Sequence, residues 1–338
     1  MLRILHDTKY DFIKAWRIAL GAIIAFIVIG LVALVLHGGL NRSIEFTGGT
    51  LMQLEFAQPP NVGDLRSTVD GAGFTGSEIQ QFGNNREFTI RAAGHTAASD
   101  AQVQNTASRI RAALEQKYGA ANVRVVREEI VGPRVGEELS RNAMIAILIS
   151  LGITMLYLAF RFEWRFGVAA VIATGHDLLS TLAFLAIMRL EVSLTVVAAL
   201  LTVIGYSLND TIIIFDRVRE NLKKARPEPL YDVLNRSINE TLPRSVLTHA
   251  TVAAATLSLL LFAGEVIRPF SWIMLFGIVT GTFSSIYVAG PILLWLERRW
   301  PRETAATAGR GPTTTAAPRR ETREQRAKPA AASSLPTR

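Results

Sequence analysis

Residues 18–36 read IALGAIIAFIVIGLVALVL, an uninterrupted apolar run. A helix of about 20 residues crosses the roughly 30 Å hydrocarbon layer of a bilayer, so this run is of spanning length. A cleaved signal peptide would have a shorter apolar core and a small-residue cleavage site. We therefore predict that residues 18–36 form an uncleaved first membrane span. The basic residues that precede it are Arg3, Lys9, Lys14 and Arg17.

Five further apolar segments follow, each long enough to form a spanning helix. They cover residues 143–160, 166–188, 193–215, 244–263 and 270–296. A long, more polar interval, residues 38–142, separates the first span from the second and is large enough to fold by itself. The pattern predicts an α-helical polytopic membrane protein with six transmembrane helices, five of them in 143–300, and one inserted domain.

The lysines and arginines of the short loops predict how the spans are oriented, because such residues accumulate in cytoplasmic loops. They are concentrated between spans two and three, between spans four and five, and after span six. The two remaining short connections carry few cations. We therefore expect residues 1–17, the loop 217–241 and the tail 301–338 to be cytoplasmic, and residues 38–142 to be extracytoplasmic.

The interval 38–142 has the periodicities of a small α/β unit. Alternating apolar residues predict strands, and apolar residues three or four apart predict helices. The strands are expected at 50–56, 77–82, 87–92 and 122–131, and the helices at 62–71 and 99–118. The order β-α-β-β-α-β is that of a small α+β ferredoxin-like domain. Nothing in it suggests catalysis, so we interpret it as a docking module.

Composition excludes several classes of function. The chain has no cysteine, which excludes disulfides, iron–sulfur clusters and thiol nucleophiles. The net charge of +8 does not indicate nucleic-acid binding, because the basic excess lies in the loops and in the tail 301–338. That tail is rich in Pro, Thr, Ala and Arg, and we expect it to be disordered. No nucleotide-binding loop, metal-ligand cluster or nucleophile–base pair is recognisable, so we expect no enzyme activity, cofactor or metal.

Ionisable residues inside the spans are the strongest candidates for function, because a charge in the bilayer is costly. Asp210 lies about a turn and a half inside Asp216 in the fourth span, so its carboxylate must be neutral, paired or wetted. Arg244 enters the fifth span at a comparable depth and could release the aspartate once it is protonated. The pair is predicted to be a proton switch. Asp177, in the third span, is either a second relay site or a hydrogen-bonded structural group.

Other polar and small residues of the spans have simpler interpretations. Asp216 and Arg217 can reach the interface, so a helix-end role is favoured for Asp216. Gly277, Gly281 and Ser285 recur every four residues in the sixth span, a ridge that permits close helix packing. His249 lies about 140° around the fifth span from Arg244, so we place it outside the switch.

The loop before the fifth span contains a short amphipathic segment. Its apolar face consists of Leu230, Val233, Leu234 and Ile238. We expect this segment to form a separate helix along the inner membrane interface.

The fourth-span segment 205–221, GYSLNDTIIIFDRVREN, resembles the signature of the SecF family of Sec protein translocase subunits. The matching residues include Asn209, Asp210, Asp216 and Arg217. Three other stretches agree with that family: EFTGG at 45–49, which contains Gly48 and Gly49, GHD at 175–177, and TLPRS at 241–245. The chain departs from the family at Ser43 and Glu45, where glycine and aspartate are usual, and at His249, where a small residue is more frequent.

The resemblance implies a multi-pass subunit of the bacterial cytoplasmic (inner) membrane, related to the resistance–nodulation–division superfamily. Such a subunit acts with SecD and uses the proton gradient to help preproteins leave the SecYEG channel. By resemblance, Asp210 is the proton-carrying aspartate and Arg244 its partner. The expected partners are SecD, SecYEG, a preprotein transiently and the lipid bilayer, and SecD is expected to be a separate chain.

Two other functions are compatible with the same spans. One is an exporter of small molecules or lipids from the same superfamily, although such exporters usually carry two six-span halves in one chain. The other is a purely structural subunit that stabilises SecD, in which the buried charges only hold helices together.

Overall fold

The computed structural model describes residues 8–93, 100–224 and 228–301. All helices and strands described below lie in the first of the chain's two units, Met1–Arg299. The tail predicted to be disordered lies outside the described residues, apart from Pro301.

The helices and strands follow the predicted order along the chain. They are α1 (Trp16–Leu36), α2 (Ile44–Thr47), β1 (Gly49–Phe56), α3 (Val62–Gly71), β2 (Glu78–Gln81), β3 (Glu87–Ala93), α4 (Asp100–Tyr118), β4 (Val123–Val131), α5 (Pro133–Arg161), α6 (Trp164–Met188), α7 (Leu194–Lys224), α8 (Leu230–Phe262), α9 (Arg268–Ser284) and α10 (Gly290–Arg299). A π-helical turn, Ser285–Ala289, joins α9 to α10.

Six helical segments of the described chain are long and apolar enough to cross a membrane, so the prediction of six spans is confirmed. They are α1, α5, α6, α7, α8 and the combined helix from Arg268 to Arg299. Several exceed the predicted apolar segments, because the helices continue beyond the bilayer-length core. α7 extends to Lys224 and α8 begins at Leu230, so most of the expected loop 217–241 is helical.

The amphipathic segment expected along the membrane interface is instead the first part of α8. The helix continues from Leu230 through Pro243 to Phe262 without a break. Val233 and Leu234 are fully buried among residues of the bundle core. Proline is tolerated within spanning helices where neighbouring groups support the backbone. The separate interfacial helix was therefore a wrong prediction, and this face packs inside the bundle.

The four strands form one antiparallel sheet in the order β2-β3-β1-β4. In this order each of the two helices, α3 and α4, connects a pair of strands that has one other strand between them, which is the ferredoxin-like arrangement. The predicted fold class of the domain is confirmed, and the strand ends agree with the sequence prediction to within one residue.

One face of the sheet is covered by α3 and α4, whose apolar residues meet those of the central strands. Met52, Leu54, Leu65, Ile90 and Leu114 are essentially inaccessible to solvent. Burial of each such side chain stabilises a fold by about 1.5–3 kcal/mol. The other face of the sheet borders a cleft of about 270 Å³. The domain therefore has its own core on one face of the sheet. The other face of the sheet is available for contact with the spans.

The two chain segments that link the domain to the spans cross at Gly48. Gly48 and Gly49 have φ of +70° and +133°, a region that favours glycine. A Cβ on Gly48 would lie 2.9 Å from Cα of Pro133, at the start of α5. A Cβ on Gly136 would lie 2.8 Å from the nitrogen of Gly48. The glycines therefore permit close contact between the entrance to the domain and its exit.

Candidate functional site

Asp210 lies on the buried face of α7 and is 3% exposed. Its Oδ1 accepts a hydrogen bond of 2.5 Å from Oγ of Ser245 on α8. Its Oδ2 is buried and has no hydrogen-bond partner among the residues that the structure describes. A buried carboxylate oxygen without a donor is costly. The position is therefore suited to bind a proton or to receive a donor from another molecule.

His249 lies one helical turn after Ser245, on the same face of α8. It is buried, with 9% of its surface exposed. Its Nδ1 is 3.1 Å from Oγ1 of Thr282 on α9, and its ring packs edge-on against Tyr206 on α7. Tyr206 lies one helical turn before Asp210, so the imidazole is held beside the aspartate. His249 therefore belongs to the Asp210 site, contrary to the sequence prediction.

Arg244 does not pair with Asp210 in this chain. Its side chain is exposed, and no ion pair of Arg244 is found within the described residues. Successive residues of a helix point about 100° apart, so Ser245 can face Asp210 only if Arg244 faces away. The predicted Asp210–Arg244 ion pair is therefore absent here, although the contact of Ser245 places Arg244 at the depth of Asp210.

Polar residues are exposed on the outer surface of α7 and α8 beside this site. Asn209, Arg244 and Thr248 are all accessible in the single chain. Facing hydrocarbon, an arginine at the centre of a span costs roughly 2.5–3.5 kcal/mol. This surface is therefore more suitable for contact with another protein than for contact with lipid.

Asp177 on α6 is completely buried, and both of its oxygens have partners. Oδ2 accepts hydrogen bonds from Ser207 on α7 and from Ser284 on α9, the latter at 2.7 Å. Oδ1 lies 3.0 Å from Nδ1 of His176, whose Nε2 lies 3.3 Å from Oγ of Ser180. The carboxylate thus joins three spans, and its surroundings contrast with the unpartnered oxygen of Asp210.

The small residues of α9 lie against α7. A Cβ on Gly277 would lie 2.3 Å from Cγ2 of Val203, and one on Gly281 would lie 2.9 Å from Cβ of Ser207. One turn further, Oγ of Ser285 is 2.8 Å from Oγ1 of Thr211, the residue after Asp210. The π-helical turn begins at Ser285. Such turns are frequent at functional sites, and this one starts beside the candidate proton site.

Asp216 and Arg217 lie near the end of α7 and form surface ion pairs. Oδ1 of Asp216 is 3.3 Å from Nη2 of Arg161 at the end of α5. Arg217 bonds Glu240 on α8 at 2.6 Å and Glu220 on its own helix at 2.7 Å. Asp216 thus ties the last turns of α7 to the end of α5, and its helix-end role stays a prediction, because α7 continues to Lys224.

Two contacts join the α+β domain to the connection between α6 and α7. Oε2 of Glu45 accepts a hydrogen bond of 2.6 Å from the backbone N–H of Leu194, the first residue of α7. Arg91 on β3 bonds Glu191 at 2.5 Å. Burial raises the pKa of Glu191 above its ordinary value, and Arg91 opposes that rise. The backbones also meet, since Arg42 and Val192 form an isolated parallel bridge.

Sequence reasoning missed three members of the Asp210 site: Ser245, His249 and Thr282. The spacing of Ser245 and His249, four residues apart on one helix, was the available signal. The face of α8 that contains Arg244 excludes Ser245, because adjacent residues of a helix point about 100° apart. Thr282 could not be identified, since its register against α8 depends on how α9 packs.

Models of two protein families match this chain. The model described as "Protein export membrane protein SecD/SecF, C-terminal" matches residues 110–299, and the one described as "SecD/SecF GG Motif" matches residues 33–60. The second range includes Gly48 and Gly49. The first includes Asp177, Asp210 and Arg244 together with all five spans after the domain.

Individual relatives agree with the family models. The chain is 60% identical to "Protein translocase subunit SecF" of Gemmatimonas aurantiaca, over 94% of this chain and 97% of that one. It is 43% identical to the subunit of the same name from Desulfurispirillum indicum, over 86% of this chain and 94% of that one. The crystal structure of SecDF from Thermus thermophilus, a translocon-associated membrane protein, is similar with a TM-score of 0.76 and 36% identity. That match covers 88% of this chain but only 40% of the SecDF chain. A multi-pass membrane protein with these relatives is a member of the SecF family of protein translocase subunits.

Proposed function

We propose that this chain is the proton-responsive half of a complex with a SecD chain, which uses the proton gradient to promote preprotein export through SecYEG. The observation that carries this proposal is the environment of Asp210. One oxygen of its carboxylate is bonded by Ser245, and the other is buried without a donor among the described residues. Taking up a proton would remove the charge and change the contact between α7 and α8.

A partner for the exposed face of α7 and α8 is part of the proposal. Arg244 lies at the depth of Asp210, and exposure to hydrocarbon would be costly for its charge. The similar SecDF chain contains more than this chain covers, as expected if a second half is supplied there by the same polypeptide. We propose that a separate SecD covers this face here and brings Arg244 and Asn209 into contact with its own spans.

The orientation follows from the basic short loops. Arg161 ends α5 and Arg165 lies in the first turn of α6, and further cations follow α10. We propose that both termini are cytoplasmic and that residues 38–142 are extracytoplasmic. Glu45 then joins that outer domain to the first residue of α7. Movement of α7 on protonation of Asp210 would be passed to the domain at this contact.

Asp177 has a different task in this proposal. Its oxygens already accept bonds from Ser207 and Ser284, so it holds α6, α7 and α9 together. A carboxylate with all its partners in place provides a rigid frame beside Asp210. The relay role of Asp177 stays a prediction.

The experiment is gradient-dependent preprotein export by membranes that contain the Asp210→Asn variant. Asp216→Asn is the matched control, since it makes the same change on the same helix at an exposed ion pair. We expect Asp210→Asn to abolish the stimulation by the proton gradient while SecD still copurifies, and Asp216→Asn to retain it. Stimulation that survives in Asp210→Asn would refute proton coupling at this residue. Loss of copurifying SecD would favour a purely structural subunit.

A further inference from the structure

His249 is the one imidazole that the structure places at the Asp210 site, among the residues described. It is held between two helices other than its own. Thr282 on α9 contacts its Nδ1, and the ring of Tyr206 on α7 packs against it with centroids 5.3 Å apart. A histidine so enclosed has a fixed orientation. The remaining question is which of its two nitrogens can exchange a proton.

The hydrogen bonds of Thr282 answer that question. Its hydroxyl donates to the carbonyl oxygen of Ile278 at 2.9 Å, so its single hydrogen is already in use. The contact with His249 therefore requires Nδ1–H as the donor and the threonine oxygen as the acceptor. Nδ1 keeps its hydrogen in this neutral tautomer and in the imidazolium ion alike. Thr282 can thus hold the ring in both charge states, and only Nε2 gains or loses a proton.

The charges that face His249 are few. From α7 its ring meets Tyr206, one helical turn before Asp210, and His249 itself lies one turn after Ser245, which bonds Asp210. From α9 it meets Thr282, and the only ionisable side chain of that helix is Arg268 at its first position. On α8 itself, Arg244 is one turn away and exposed. Asp210 is therefore the charge of opposite sign with which a protonated His249 can interact inside the bundle.

We propose that His249 is a second proton-carrying residue of the Asp210 site, which exchanges its proton at Nε2 while Nδ1–H stays bonded to Thr282. This inference rests on the proposed proton-coupled function and adds to it. A proton leaving the imidazolium at Nε2 gives a neutral imidazole, and a carboxylate that receives it becomes a neutral acid. Both charges disappear together, so the step does not leave an isolated charge in the bundle.

The arrangement also couples the protonation state of the site to the contacts between helices. Ser245 and His249 both belong to α8, whereas Asp210 belongs to α7 and Thr282 to α9. Loss of the opposite charges would weaken the attraction between α7 and α8 and leave the bond to α9 intact. Protonation would therefore let α7 move relative to the pair formed by α8 and α9.

The test is the pH profile of gradient-dependent preprotein export by the assembled complex, measured at a constant pH difference across the membrane. We expect the wild-type rate to rise and fall with pH, and one limb of that profile to depend on proton exchange at Nε2 of His249. His249→Gln should lose that limb. His37→Gln is the matched control and should keep it, because His37 is exposed at the end of α1 and outside the Asp210 site.

A second variant keeps the test decisive if His249→Gln does not assemble. Thr282→Val retains the imidazole but removes the acceptor of Nδ1–H, so the limb should move along the pH axis. An unshifted midpoint, or a limb that persists in His249→Gln, would overturn the role of His249. If Asp210→Asn still responds to the gradient, the proposed function itself fails. If only Asp210→Asn abolishes the response and the histidine variant keeps the wild-type profile, the failure is confined to His249.

Discussion

The carboxylate of Glu45 accepts a hydrogen bond from the backbone N–H of Leu194 at 2.6 Å. Leu194 begins α7, and Asp210 lies about 24 Å further along the same helix at 1.5 Å per residue. One continuous helix therefore connects the α+β domain to the buried carboxylate. Glu45 has a clear contact in this structure, because its carboxylate meets the positive end of α7.

Replacing Glu45 tests this contact. Glu45→Gln should lower the stability of the purified chain by about 1 kcal/mol, since a charged cap on a helix N-terminus becomes neutral. It should also reduce gradient-dependent export. Glu55→Gln is the matched control, because Glu55 pairs with the exposed Arg124 on the sheet, where such pairs contribute little. Thermal unfolding in detergent measures the first effect, and equal losses in the two variants would contradict it.

The pH dependence of stability tests the contact between Arg91 and Glu191. Burial raises the pKa of Glu191, so the folded protein binds more protons there than the unfolded chain does. Stability should therefore fall as the pH rises above about 4.5, the ordinary value for this residue. Glu191→Gln should reduce the slope of melting temperature against pH, and Arg91→Met should increase it. A slope that neither variant changes would refute this assignment.

The contact between α9 and α7 predicts a strong effect at Gly277. Gly277→Ala places a Cβ 2.3 Å from Cγ2 of Val203, so the helices must separate. We expect a loss of about 1–3 kcal/mol. Gly175→Ala is the control, because no atom lies within 4 Å of the Cβ position there. Melting temperatures of the two variants in the same detergent decide the matter, and comparable values would show that the helices do not depend on this contact.

Alanine variants at Gly48 and Gly38 test whether the crossing of the two linkers depends on glycine. Gly48 and Gly38 both have φ of +70°, but a Cβ on Gly48 meets Pro133 whereas one on Gly38 meets nothing within 4 Å. Both alanine variants carry backbone strain because φ is positive, and Gly48 carries more, because its ψ of +162° places it in a region essentially confined to glycine. Gly48→Ala should lose at least about 1 kcal/mol more, because the crossing of the two linkers is also disturbed. Denaturation of both variants gives the difference directly, and equal destabilisation would refute the crossing.

Most of the fold could be predicted from local patterns. The apolar run at 18–36 and the alternating pattern at 50–56 depend only on the residues within each segment. Their predicted positions therefore agree with the structure. The continuous α8 could not be predicted, since the apolar face at Val233 and Leu234 is the same for an interfacial and a buried helix. Only packing against the bundle distinguishes them.

The candidate site was predicted in part. Asp210 stood out because a carboxylate in a span is costly. Its contacts could not be derived, because the rotation of α8 decides whether Arg244 or Ser245 meets α7, and adjacent residues of a helix differ by about 100°. The role of Thr282 depends similarly on the register of α9. The rotation and register of one helix against another depend on the whole bundle. The sequence pattern of a single helix does not determine them.

The central claim is that Asp210 carries protons, and proton movement through the reconstituted complex with SecD tests it most directly. A pH-sensitive dye inside vesicles reports how fast an imposed proton gradient dissipates, with Asp216→Asn as the control on the same helix. We predict that Asp210→Asn dissipates the gradient no faster than vesicles without protein, while Asp216→Asn resembles the wild type. Proton movement at the wild-type rate in Asp210→Asn would contradict the account.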